Sequence, residues 1–441
     1  MIGFEALAVS TAMPLVAADL DAVREYGLAF SSFLATSLLG IVVSGSWCDA
    51  RGPLWPVRTG LLLFGGGLLA CGWAPSFVVL LAGRAIAGAG GGLLVVAIYV
   101  VIAEVYPSAL QPRIISLLSA GWVLPGLIGP VVAGWLAENV SWRAVFLLVP
   151  PLAVPPALAL LPRLRADGPR ESAGSGAEVG IRTGPRVLAG VGLAAGVLAL
   201  QWGLGALGRA SGSRFGLAAL AVGGGLLLVG LGFRRLVPAG TLTLRRGLPT
   251  VIVLRGLYAG AFIGVEAFIP LMLVTERGMS AVEAGLVLTG AVLGWTTGSF
   301  LQARPGLRLP RHLLLVFGAL IIGLAEGLLV LAVRPPVPAW TALGFWTLAA
   351  GGMGLAMSST SVLVLRYSQI GQQGRNSSAL QLSDGVGGAL GIALSGAAFA
   401  TWHRPNGSDA ALFTGMWLGF ATVALCAAVI AFRARPPAVP A

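Results

Sequence analysis

An arginine stands in the run "LAGRAIAGAGGGLLVV", Leu81 to Val96, with no acid within ten residues of it. Four acids stand in apolar runs of the same kind: Glu5 in "EALAVSTAMP", Glu266 in "GVEAFIPLML", Glu326 in "GLAEGLLVL" and Asp384 in "QLSDGVGGAL". A charge at the centre of a membrane helix costs about 2.5–3.5 kcal/mol even on a lenient scale, so a position that keeps one needs a reason. A neighbouring arginine favours the ionised form of a carboxyl group, and burial favours the protonated form. Two opposed influences make a group that gains and loses H⁺ near neutral pH, and proton carriage is the chemistry these residues could do.

Other chemistries have no residues to work with. All 28 basic residues are arginine. With no lysine there is no phosphate-binding G-x-x-x-x-G-K-[ST] loop and no Schiff base, so the chain does not drive transport with ATP by itself. Cys48, Cys71 and Cys426 lie far apart in or beside apolar runs, and His312 and His403 border such runs. Neither a disulfide framework nor a metal site is expected, and no cofactor and no enzyme activity.

The elements that must hold these charges are set by the solvent. The chain has 441 residues, 57% apolar and 10% charged, against about 25% charged for soluble domains. Apolar runs of bilayer-spanning length lie near 2 to 18, 27 to 48, 57 to 74, 77 to 104, 112 to 137, 144 to 162, 186 to 208, 214 to 233, 250 to 274, 281 to 302, 313 to 333, 338 to 361, 378 to 401 and 411 to 432. The expected fold is all-α, an integral membrane protein of 14 transmembrane helices. An even count puts both termini on one side. Loops on that side carry 19 of the arginines and the opposite loops seven, so both termini are expected to be cytoplasmic. The net charge of +12 is then a topology signal, and no nucleic-acid surface is implied. No basic region precedes the first apolar run, so no signal peptide is expected. That run starts almost at Met1 and reads as clipped at its cytoplasmic end.

The polar segment "RLRADGPRESAGSGAEVGIRTGPR" from Arg163 reads as a flexible linker. The expected domains are a six-helix bundle over 1–163, a cytoplasmic linker over 164–185, two inserted helices over 186–235 and a second six-helix bundle over 249–435. An internal repeat supports two similar bundles. "GSWCDARGP" after the second helix is echoed by "GSFLQARPG" after the tenth, and Pro14 is echoed by Pro270.

The same stretches carry a resemblance. "GSWCDARGP" resembles motif A of the major facilitator superfamily, with Gly45, Asp49 and Gly52 in register. The resemblance implies a cytoplasmic latch in which the glycines allow close approach and Asp49 meets the helix that starts near Ser377. Pro53 and Leu54 stand where the family has basic residues, which leaves Arg51 or Arg58 for that role. "GRAIAGAGGG" resembles motif B, with Arg84, Gly88 and Gly90. "PGLIGPVVAG" resembles motif C, the antiporter signature, through Gly129, Pro130 and Gly134, while Pro125 and Ala133 replace two of its glycines. "EALAVSTAMP", "SWRAVFLL" and "GRNSSALQLSDGVGGALGIALSG" look like the fourteen-helix drug/proton antiporter branch.

What this implies is a proton-coupled secondary transporter exporting small amphipathic compounds or drugs by alternating access, with roles in multidrug efflux and antibiotic resistance. Its implied partners are a small-molecule substrate, protons and the lipid bilayer, and it is expected to act as a monomer. Its place is the cell membrane of a bacterium with a GC-rich genome. The implied proton-coupling residues are Glu5, Glu266, Asp384 and Glu326, with a substrate cavity drawn from Ser10, Met13, Phe262, Phe268 and Gln381. At about 1.5 Å per residue, Arg84 lies about 10 Å below the outer face and Glu5 about 20 Å. A direct pair is open, but contacts from Arg84 to carbonyls, Ser10 and Thr11 are the more economical expectation. Arg255 and Glu104 are expected to snorkel or pair locally at the membrane edge. Uptake or facilitated diffusion of a small metabolite, and a non-transporting membrane protein, are the alternative readings.

Overall fold

The computed structural model describes residues 2–105, 111–164, 176–207, 213–304, 309–369, 372–405 and 407–435. Their secondary structure is helical throughout: α1 (Ile2–Asp19), α2 (Tyr26–Arg51), α3 (Leu54–Gly72), α4 (Phe77–Val105), α5 (Gln111–Leu136), α6 (Trp142–Leu160), α7 (Gly176–Leu207), α8 (Ser213–Leu236), α9 (Leu248–Glu266), α10 (Ile269–Thr275), α11 (Ala281–Ala303), α12 (Arg311–Val333), α13 (Thr341–Tyr367), α14 (Gln373–Trp402) and α15 (Ala410–Ala431). The bilayer explains why polar termini are so few. A membrane helix satisfies every backbone group internally, and many apolar side chains point outward, with Leu62, Val78, Leu220 and Val429 each more than 70% exposed.

Local chemistry sets the ends. Ser280 and Glu283 form a reciprocal cap at the start of α11, at 2.8 and 3.2 Å. Gly52, at φ 72°, closes α2 and sends its N–H to the Cys48 carbonyl, a conformation that a side chain would strain.

Twelve stretches among the described residues are long and apolar enough to cross a membrane, rather than the fourteen read from the sequence. Two differences account for this. A π-helical turn over Ala137–Ser141 follows α5 directly and the extended, capping Ser141 starts α6, so no loop separates the two helices and they count as one stretch, Pro125–Leu160. The apolar part of α1, Leu7–Asp19, falls short of the length. The expected linker is also shorter at its end, because α7 starts at Gly176 and carries Pro185 within it. Residues 165–175 of that linker lie outside the described residues.

The chain divides into two compact units. The first comprises Met1–Ala199 with Gly224–Gly232, the second Leu200–Gly223 with Phe233–Ala441. The middle pair, α7 and α8, is therefore shared out rather than forming a block of its own. Inside the units the packing repeats. In the first, α4 lies against α2 and α3, α5 against α1, and α6 against α3 and α1. In the second, α13 lies against α11 and α12, α14 against α9, and α15 against α12 and α9. Each helix of one set has its counterpart in the other, in chain order, which is what the echoed motifs require of an internal repeat.

Glycine makes the closest of these contacts. A Cβ on Gly88 would overlap the Phe33 carbonyl of α2, and one on Gly90 the Phe64 amide of α3. In the second unit Gly387 and Gly391 of α14 press on the Gly256 and Gly260 backbone of α9. Membrane helices have no hydrophobic drive to associate with one another, so backbone contact through small residues is what holds them.

Candidate functional site

The groove between α2 and α3 fixes α4 and so fixes Arg84. Gly88 lies one turn along α4 on the same face, against α2. Arg84 follows it there: its Nε donates to the Ala29 carbonyl at 2.9 Å, and its guanidinium lies 4.5 Å from the Phe33 ring centre. Its Nη1 pairs directly with Oε1 of Glu5 from α1. The two side chains are 3% and 1% exposed. The contact expected from Thr11 is absent among the described residues; its hydroxyl is turned back to the Leu7 carbonyl at 3.1 Å. A hydroxyl that can satisfy its own helix has little to gain from crossing to another. Glu5 uses only one of its oxygens: Oε2 is buried without a hydrogen-bond partner among the described residues.

The second unit holds an ion pair of its own, which the sequence reading missed. Arg255 of α9, expected at the membrane edge, reaches Asp384 of α14, Nε to Oδ1 at 2.9 Å. Its other nitrogens donate to the Met357 carbonyl at 3.0 Å, Thr360 at 3.2 Å, Ser361 at 3.4 Å and the Gln381 amide oxygen at 3.3 Å. Three helices thus meet at one guanidinium, whose planar fork of five N–H donors suits such a junction. The missed signal was the spacing of Gly256, Gly260 and Gly264 against Gly387 and Gly391. Glycines four apart bring two helices close enough for a side chain beside them to cross.

The other two acids have no counter-charge among the described residues. Glu266 is half-buried at the last position of α9. The helix breaks after it at Ala267 and Phe268 and resumes as α10. Pro270 has no N–H to return to the Glu266 carbonyl, which is why the break falls there. Glu326 of α12 is wholly buried, and both its carboxyl oxygens lack a hydrogen-bond partner among the described residues.

The remaining motif residues lie on α5 and at the end of α2. Gly129, Pro130 and Gly134 are buried on α5, which lies along α1. Ala133 joins a cluster there with Ala8, Ala12 and Val145, and a Cβ on Gly129 would come 3.2 Å from the Phe4 ring. In motif A, Gly52 makes the turn, Arg51 is exposed, and Gly45 has open space where close approach was expected. The side chains of Asp49 and Glu104 lie outside the described residues. Of the residues expected to line a cavity, Ser10, Met13, Phe262 and Phe268 are buried in the cores, and only Gln381 is exposed. Phe262 stacks on Trp346 and Phe268 tilts against Phe399. Among the described residues no cluster of His, Cys, Asp and Glu could hold a metal ion.

Comparison with known proteins agrees with this architecture. The family model of the Major Facilitator Superfamily matches residues 1–265. The chain is 25% identical over 412 residues to the aspyridones efflux protein of Neocamarosporium betae, covering 89% of this chain and 71% of that one. It is 26% identical over 436 residues to a probable multidrug-efflux transporter of Mycobacterium tuberculosis, covering 96% and 89%. Among solved structures, a peptide transporter crystallised with alafosfalin superposes with a TM-score of 0.66 at 15% identity, over 98% of this chain and 93% of that one. The chain belongs to the Major Facilitator Superfamily. It is a multi-pass membrane transport protein, not an enzyme, and efflux and multidrug transporters are among its relatives.

Proposed function

We propose that the protein exports small amphipathic compounds in exchange for protons, by alternating access. The observation that carries this reading is the Glu5–Arg84 pair. A carboxylate buried with one oxygen bonded to a guanidinium and the other unengaged has a vacant position for a proton inside a low-dielectric layer, and its protonation discharges a buried ion pair. Intramembrane acids of this kind mark proton relays in transporters. Asp384, Glu266 and Glu326 are further carriers in this reading. The names of the relatives support export as the direction.

The reading includes fourteen membrane crossings with both termini in the cytoplasm of the cell whose membrane holds the protein. Pro125–Leu160 supports this, because the extended Ser141 ends one helix and starts the next, and α5 and α6, with 26 and 19 residues, are each about the length that spans a bilayer. Two crossings there, with α1 as another, restore the count.

The test is uptake of a lipophilic cation into inverted proteoliposomes under an imposed pH gradient. Accumulation that collapses with a protonophore is expected, and downhill equilibration alone would assign facilitated diffusion. Glu5→Gln is expected to remove the accumulation and leave downhill equilibration of the cation. Single cysteines in the loops, probed with an impermeant thiol reagent, test the topology.

A further inference from the structure

The polar junction around Arg255 has an open side. Asp384 is 30% exposed and only its Oδ1 is engaged by Arg255. Gln381, one turn earlier on the same face of α14, and Ser361 across from it on α13 are both exposed. Arg255 itself is 12% exposed.

We propose that Asp384, Gln381 and Ser361 form a subsite for the positively charged centre of an amphipathic organic cation, with Arg255 as the internal cation that occupies the carboxylate when the subsite is empty. This rests on the reading of the chain as an exporter of amphipathic compounds, and it names the residues that recognise their charge.

Two features support the exchange. Taking one partner away from a buried ion pair strands the other charge, which is what makes such pairs hard to open. Arg255 is not stranded, because the Met357 carbonyl, Thr360, Ser361 and Gln381 all accept from it already. The carboxylate also has one fixed competitor. The other charged residues on α9, α13 and α14 are Glu266, eleven residues from Arg255, Arg366, five residues beyond Ser361, and Arg375, nine residues before Asp384; both arginines are exposed, and α15 has none. An arriving cation therefore meets the unengaged Oδ2, and Arg255 withdraws onto neutral acceptors that are in place. A proton on the same carboxylate ejects the cation, since both need the same charge.

Equilibrium dialysis of radiolabelled tetraphenylphosphonium against the purified full chain in detergent tests the subsite. The wild type is expected to retain the cation, Asp384→Asn to lower its affinity at least tenfold, and Arg255→Gln to raise it at least threefold by removing the competitor. Unchanged binding in Asp384→Asn, weakened or unchanged binding in Arg255→Gln, or no binding by the wild type overturns the proposal. A measurement without substitutions guards against misfolded variants. Tetraphenylphosphonium is expected to slow carbodiimide modification of Asp384 in the wild type, read by peptide mass spectrometry, and equal labelling with and without it overturns the proposal. Proton-driven transport combined with cation binding indifferent to Asp384→Asn would sink the subsite alone. Binding as expected without uphill transport would sink the export reading alone.

Discussion

Phe262 stacks on Trp346 with ring centroids 4.3 Å apart and planes 20° from parallel, at the position the internal repeat gives to Glu5 and Arg84 in the first unit. Glu5 lies nine residues before Pro14, and Phe262 eight before Pro270. Arg84 lies nine before Leu93, whose carbonyl takes the Ser44 hydroxyl; Trp346 lies eight before Gly354, whose carbonyl takes that of Ser299. The landmarks agree to within one residue on both helices. One half of the repeat carries an ion pair where the other carries two rings, so the halves share a scaffold and divide the chemistry.

That division predicts different consequences for the two pairs. Phe262→Leu forfeits the ring contact, worth about 0.5–1.5 kcal/mol beyond the area it buries, and is expected to lower the unfolding temperature in detergent. The ratio of proton-driven to passive transport is expected to stay at the wild-type value in the folded fraction.

Arg84→Ala leaves Glu5 buried without its counter-charge. Removal of one partner of a buried pair costs about 3–5 kcal/mol, and thermal unfolding of the purified protein is expected to show a loss of this size. Adding Glu5→Gln to the same chain removes the stranded charge and is expected to restore a large part of the stability. A double variant no more stable than Arg84→Ala would mean that packing of the arginine against Phe33, rather than its charge, holds the site.

Glycine substitutions separate contact from open space. Gly391→Val drives a side chain into the Gly260 backbone of α9, where nothing flexible can give way, and Gly88→Val does the same at Phe33. Overpacking of this kind costs about 1–3 kcal/mol or more, and both variants are expected to yield little monodisperse protein. Gly45→Ala meets nothing within 4 Å and is expected to purify like the wild type.

The C-terminal ends of α10 and α14 and the start of α15 are tied by side chains. Asp409 meets the His403 ring nitrogen at 2.5 Å and the Arg404 amide at 3.0 Å, while Glu276 takes the Asp409 amide at 2.8 Å. Asp409→Ala removes the first two of these bonds, each worth about 1 kcal/mol net and more where charge is involved. Limited proteolysis is expected to cut faster between Trp402 and Ala410 in this variant.

The sequence was most informative where the solvent dictates the pattern. Length and hydropathy located nearly every helix, because a bilayer demands a run of fixed extent whatever its neighbours. The count of spans is where that rule falters: the π-turn at Ala137–Ser141 leaves no loop between α5 and α6, and no hydropathy window sees a turn. Among the site residues, the acids were legible as charges in apolar runs, but their partners were not. Arg255 looked like an edge residue because its depth reads as shallow along its own helix; the glycine crossing with α14 gives it a partner from another direction. The aromatic residues expected at a cavity are buried against other rings, and size and apolarity serve packing and binding equally well.

Among the described residues the cations of the two pairs inside the units, Arg84 and Arg255, are guanidinium groups, and a guanidinium does not release its proton in a protein. Neither pair can therefore be neutralised from its positive end. Any cycle that opens and recloses them has to be clocked by the carboxylates, with Arg84 and Arg255 as permanent charges against which each loading event is registered.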